Sequence, residues 1–178
     1  MKLFGIPILL FVFFFSSESD PVKINWDENK KLTWSDFKAQ PSEGADYVAS
    51  TSSGISFSYS YKLLEEKLTY DFTVQSYFYP EESWYKEAYV SEYILKHEQT
   101  HFDISELHAR ILRKRISEAS FSKAIKKEMK AIYQKVEGER QTMQNLFDSE
   151  SEHSKNKEKE YQWEQYVTKQ LNVYESFK

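Results

Sequence analysis

Residues 95–103 read LKHEQTHFD. Only four histidines occur in the 178-residue chain, and two of them, His97 and His101, stand four apart with Glu98 directly after the first. On a helix, residues four apart lie on one face, one turn from each other. Two imidazoles so placed can reach one metal ion. The pattern His97–Glu98–Gln99–Thr100–His101 is H-E-x-x-H, in which two histidines hold zinc and the carboxylate between them serves as general base. The residue types suit that chemistry. Neutral imidazole is a good zinc ligand. Zinc brings the pKa of a coordinated water towards 7, and Glu98 can take its proton and pass it to a leaving amine. Ordinary residue frequencies make the pattern a chance event in about one chain in a few hundred of this length. The bland alternatives are two core histidines hydrogen-bonded to neighbours, or a metal site without turnover.

A catalytic zinc keeps three protein ligands and one open position. His108 lies seven residues beyond His101, ~10 Å along a helix axis, too far for the same ion, and reads as a core or supporting histidine. The remaining candidates are Glu137, Glu139, Asp148, Glu150 and His153. A helical hairpin turning near Ser120 returns residues of about 139–148 to the side of His97 and His101. Glu139 fits the middle of that range, and Asp148 and His153 fit a helix end that folds over the metal.

The elements that must carry these residues are legible. Val90, Ile94, His97, His101, Ile104, His108 and Ile111 recur at three- and four-residue steps, one inward stripe of a helix over about 87–117. Ser122 is a suitable N-cap for a second helix reaching roughly Asp148. After the polar run SESEHSKNKEKE, the residues Trp163, Val167 and Leu171 suggest a terminal helix, and the Lys/Glu-rich segments read as solvated faces. Upstream the period changes to two. Ile55, Phe57, Tyr59 and Tyr61 alternate with serines, and Leu68, Tyr70, Phe72 and Val74 with polar residues, which predicts two half-buried strands joined by a hairpin loop at KLLEEK. Segments near Val22–Trp26 and Leu32–Trp34 are further strand candidates. The strands could offer an edge to an extended substrate. The resulting class is α+β: a small antiparallel sheet, then a long helix bearing the motif, then two further helices.

The first residues have the layout of a secretory signal peptide. Lys2 precedes an apolar run from Leu3 to Phe15, and small polar residues follow. Residues 1–19 are therefore expected to be a signal peptide and 20–178 the functional domain, secreted or periplasmic, with no stable membrane span in the mature chain. The run is shorter than the ~20 residues of a spanning helix; an uncleaved anchor is the alternative. The absence of cysteine excludes a lipoprotein anchor and disulfide stapling. A formal net charge of −4 gives no reason to expect a nucleic-acid partner.

Several segments carry a family resemblance: LTWSDFKAQP at 32–41, ASTSSGISFSYSY at 49–61, YFYPEESW at 77–84, KHEQTHFDISELHAR at 96–110 and ERQTMQNLFDSESEHSKN at 139–156. Together they resemble a family of predicted secreted zinc-dependent proteases, a bacterial domain of unknown function. The resemblance implies a zincin-like fold and peptidase activity on a peptide or protein substrate. The family's late motif reads Tyr-Asp-x-x-Thr-x-His. Asp148 and His153 match it, while Phe147 and Ser151 replace the Tyr and Thr, which removes any phenolic role at 147. The match singles out His153 as third ligand with Asp148 holding an imidazole in place; the reverse, Asp148 on the metal and His153 at the oxyanion, stays open. The expectation is a monomeric zinc metallopeptidase with His97, His101 and His153 on Zn2+ and Glu98 as base. Its rivals are a non-catalytic exported metal-binding module and a zinc hydrolase of a cell-wall amide.

Overall fold

The computed structural model describes residues 22–178; the expected signal peptide at 1–19 lies outside them. The alternating segments form a long hairpin of β3 (Ser53–Leu64) and β4 (Lys67–Phe78), with β1 (Ile24–Asn25) on the other edge of β4. Pairing sets Phe57 opposite Val74, Tyr59 opposite Phe72 and Tyr61 opposite Tyr70. These apolar residues thus face one another across the hairpin on one face, the arrangement that fixes register when that face is buried. The strand expected near Leu32–Trp34 is absent: Trp34–Asp36 form a 3-10 turn closed by Asp36, which accepts from the Thr33 N–H at 2.7 Å. A second, two-stranded sheet pairs β2 (Ala49–Ser50) with β5 (Trp84–Tyr85).

The expected loop KLLEEK is mostly strand. Only Glu65 and Glu66 form the turn, and both have positive φ, 44° and 69°. A two-residue turn of that hand matches the twist of the strands and ordinarily takes Asn-Gly. Glutamates there are strained by about 1–2 kcal/mol per residue, which the exposed Lys123–Glu66 ion pair offsets little. Replacing Glu65–Glu66 by Asn–Gly is expected to raise the urea midpoint by an equivalent of about 1 kcal/mol or more, with an unchanged denaturant slope; a lowered midpoint would show that the charged turn is the favoured one.

Helix α1 (Glu92–Ser117) begins five residues later than its periodicity suggested, because Ser91 caps it by accepting from the Ile94 N–H at 3.3 Å and the preceding Glu87–Tyr89 form a separate 3-10 turn. Helix α2 (Ile125–Ser151) also starts late. Ser122 instead holds the turn before it, its hydroxyl accepting from the Ala124 N–H while its own N–H donates to Glu128. Helix α3 (Lys157–Val173) is capped by Asn156.

One core lies between the hairpin face and α1 and α2, built on Ile55, Val74, Leu112, Ile116, Met129 and Val136. A second lies among the three helices, with Ile104, Leu107, Phe147 and Val167. Buried Glu106 joins α1 to the sheet, accepting from Ser76 on β4 at 2.7 Å and from Arg110 at 3.0 Å. His108 is a core residue: it is buried, its Nδ1–H donates to the Ile104 carbonyl at 2.9 Å, and burial pushes its pKa down. No helix among the described residues is long and apolar enough to cross a membrane.

Candidate metal centre

His97, Glu98 and His101 occupy the first half of α1, and α2 returns beside them with Gln144 and Asp148. The three ligand atoms lie close together. His97 Nε2 is 3.2 Å from His101 Nε2, His97 Nε2 is 3.2 Å from Asp148 Oδ1, and His101 Nε2 is 3.0 Å from the same oxygen. Ligands at ~2.0–2.1 Å around a tetrahedral ion are ~3.3 Å apart, so this triangle approximates one face of such a tetrahedron. His97, His101 and Asp148 form a cluster that could hold a metal ion.

Hydrogen bonding fixes how His101 meets the cluster. The Gln144 amide donates from Nε2 to the His101 backbone carbonyl at 2.8 Å, so its Oε1 must face the ring. That oxygen accepts from His101 Nδ1. With the proton on Nδ1, the neutral ring turns its Nε2 lone pair towards Asp148 Oδ1. A lone pair aimed at a carboxylate oxygen is repulsive unless a proton or a cation lies between them. The fully buried Phe147 ring supports both imidazoles, stacked under His97 at 4.4 Å and edge-on to His101 at 5.0 Å. A phenolic oxygen at 147 is not needed for this.

The charges respond accordingly. Burial alone pushes the His97 pKa down, but Asp148, Glu160 and the charge of Glu98 outweigh it and raise the pKa to about 9. Burial pushes Asp148 up, and the two histidines outweigh that and hold it well below the usual carboxylate range. Because the folded pKa of His97 exceeds its unfolded value of 6.5, its stabilisation is complete below pH 6.5 and is lost as pH rises through about 9. Chelator-treated protein is expected to lose on the order of 3 kcal/mol between pH 6 and pH 10 from this group. Urea unfolding at the two pH values measures it, and a His97→Phe variant should flatten the difference.

Of the residues singled out from sequence, Glu98 is 3% exposed and its Oε2 has no hydrogen-bond partner. It lines a cavity of about 380 Å³ together with the three ligand candidates. Asp148, rather than His153, completes the triangle. Helix α2 ends in three consecutive left-handed residues, Glu152, His153 and Ser154, with φ of 51°, 49° and 69°. That reversal carries the His153 ring out to the cavity, where it stacks on Tyr47 at 5.6 Å with Nδ1 3.6 Å from Asp148 Oδ1. Three non-glycine residues held this way cost about 1–3 kcal/mol each, a kind of strain that clusters at functional sites. Glu139 is not at the site: it pairs with Arg115 at 2.8 Å.

Sequence reasoning missed three contributors. Gln144 lies four residues before Asp148, hence on the same helix face, and that spacing could have found it. Segment Tyr47–Ser53 forms the opposite cavity wall, with Thr51 donating to the Glu98 backbone carbonyl at 3.2 Å. Glu160 lies in a run read as solvated, yet it is fully buried. It shares the stripe of Trp163, Val167 and Leu171, and that periodicity marked it.

Fold and site together define an α+β protein with a mostly buried His/His/Asp cluster beside an unpartnered glutamate. A family model described as "Bacterial protein of unknown function (DUF922)" matches residues 32–154. That segment is more than half of the chain, and the protein belongs to this family. Comparison with curated proteins and with solved structures gave no match.

Proposed function

We propose that this protein is a zinc-dependent peptidase acting outside the cytoplasm. The observation that carries the reading is the convergence of His97 Nε2, His101 Nε2 and Asp148 Oδ1 beside a buried glutamate oxygen that has no partner. A donor set of two imidazoles and one carboxylate, with open space alongside, is that of catalytic zinc. His97, His101 and Asp148 hold the ion. When bound, zinc supplies a Lewis acid and lowers the pKa of a coordinated water towards 7. Glu98 Oε2 takes the proton of the attacking water and delivers it to the leaving amine. His153 stands at the cavity, half exposed, and donates a hydrogen bond to the oxygen that gains negative charge. The cavity wall at Tyr47–Ser53, which includes the short strand β2, gives an extended peptide an edge to lie along.

The test uses wild-type and Glu98→Gln protein, each with and without chelation, on a peptide library and on cell-wall fragments. Peptide cleavage that disappears on chelation and returns with zinc supports the proposal. Cleavage of wall fragments alone replaces the peptide by a cell-wall amide as substrate. Zinc uptake with no hydrolysis of either leaves a binding module and refutes the enzymatic reading.

A further inference from the structure

Helix α3 lies outside the segment matched by the family, yet it sends Glu160 into the core behind His97. We propose that Glu160 is a positioning residue: its carboxylate accepts a hydrogen bond from the Nδ1–H of His97, so that the proton stays on Nδ1 and His97 presents its Nε2 lone pair to the metal cluster. The inference rests on the metal reading of His97.

Glu160 is fully buried, and its Oε2 lies 3.5 Å from His97 Nδ1. The contact is close but not an aligned hydrogen bond, and neither His97 Nδ1 nor Glu160 Oε1 has any other partner. The His97 ring is fixed by its stacking on Phe147, so a small turn of the carboxylate closes the gap. Tyr93 steadies the carboxylate from the other side, donating its hydroxyl to Oε2 at 2.9 Å. Among the described residues no Lys or Arg pairs with Glu160. A carboxylate buried with one neutral donor costs several kcal/mol, and an imidazole with a cation beyond it is the compensation this site offers. Gln144 gives His101 the same service through an uncharged oxygen. The two imidazoles are therefore held in one tautomer by different means, an amide for one and a carboxylate for the other. A carboxylate behind a metal-bound imidazole also raises its basicity as a ligand, and removing such a partner lowers metal affinity about 10–100-fold.

The experiment compares full-chain wild type, Glu160→Leu and Glu160→Gln. Zinc affinity is read by competition with a chromophoric chelator. The His97 tautomer is read from ring 15N shifts of metal-free protein in alkaline buffer, where the ring is neutral. Glu160→Leu removes the buried charge but leaves the Tyr93 hydroxyl without its acceptor, so thermal unfolding is measured beside affinity. This substitution should weaken zinc binding about 10–100-fold and move part of the His97 proton to Nε2. If Glu160→Leu does not fold, Glu160→Gln keeps the shape without the charge, and about a tenfold loss is expected. Affinity within twofold of wild type in folded Glu160→Leu, with Nδ1 still protonated, overturns the assignment; in Glu160→Gln, whose amide oxygen can still accept from Nδ1, an unchanged affinity alone overturns it. Wild-type protein that takes up no zinc defeats the metal reading instead, and Glu160 is then judged on the tautomer alone.

Discussion

Glu98→Gln is expected to keep the metal and to lower peptide hydrolysis by about 10²–10⁴-fold. The amide matches the carboxylate in shape, so the packing of α1 around it is preserved. No other described group hydrogen-bonds to Oε2, so no network is broken. What disappears is a base at the point where a proton must leave the attacking water. The loss should fall on kcat and kcat/KM alike, with substrate affinity little changed, as for a group that acts only in the transition state. The new amide N–H group is buried where Oε2 has no partner, which costs about 1–3 kcal/mol of stability, so thermal unfolding is measured beside activity and zinc content. Wild-type turnover by zinc-loaded E98Q protein would remove Glu98 from the chemistry.

Asp148→Ala and His153→Ala are expected to separate cleanly. A structural zinc site is worth ~10–16 kcal/mol over four ligands, so one ligand is worth ~2.5–4 kcal/mol, a factor of about 10²–10³ in affinity. Asp148 closes the triangle with both imidazoles, and its removal should cost about that much. His153 is half exposed and stacked on Tyr47. Its loss should leave zinc bound while lowering turnover by about 10²–10³-fold, the effect of deleting one donor to a developing oxyanion. Zinc titration and turnover on the same samples provide the check. If His153→Ala empties the site and Asp148→Ala does not, the two roles are exchanged.

The difference between these two residues marks where sequence stops and tertiary structure begins. The chain alone determined that His97 and His101 share a helical face with Glu98 between them, because 3.6 residues per turn places i and i+4 together whatever surrounds the helix. It determined the hairpin as well, since alternation along 55–61 and 68–74 favours a register that sets the apolar side chains on one face. That Asp148, and not His153, meets both imidazoles depends on contacts some fifty positions apart in the chain. Where α2 stops decides it, and one residue more or less of helix turns a side chain by ~100°. The left-handed run at 152–154 that sets His153 at the cavity beside Asp148, outside the triangle, accompanies the reversal of the chain into α3. Glu160 is the same case. The helical period shows that it faces inward, and only the docking of α3 against α1 brings its carboxylate behind His97. Local geometry is written in residue spacing, whereas the meeting of distant side chains is set by where helices end and how they pack.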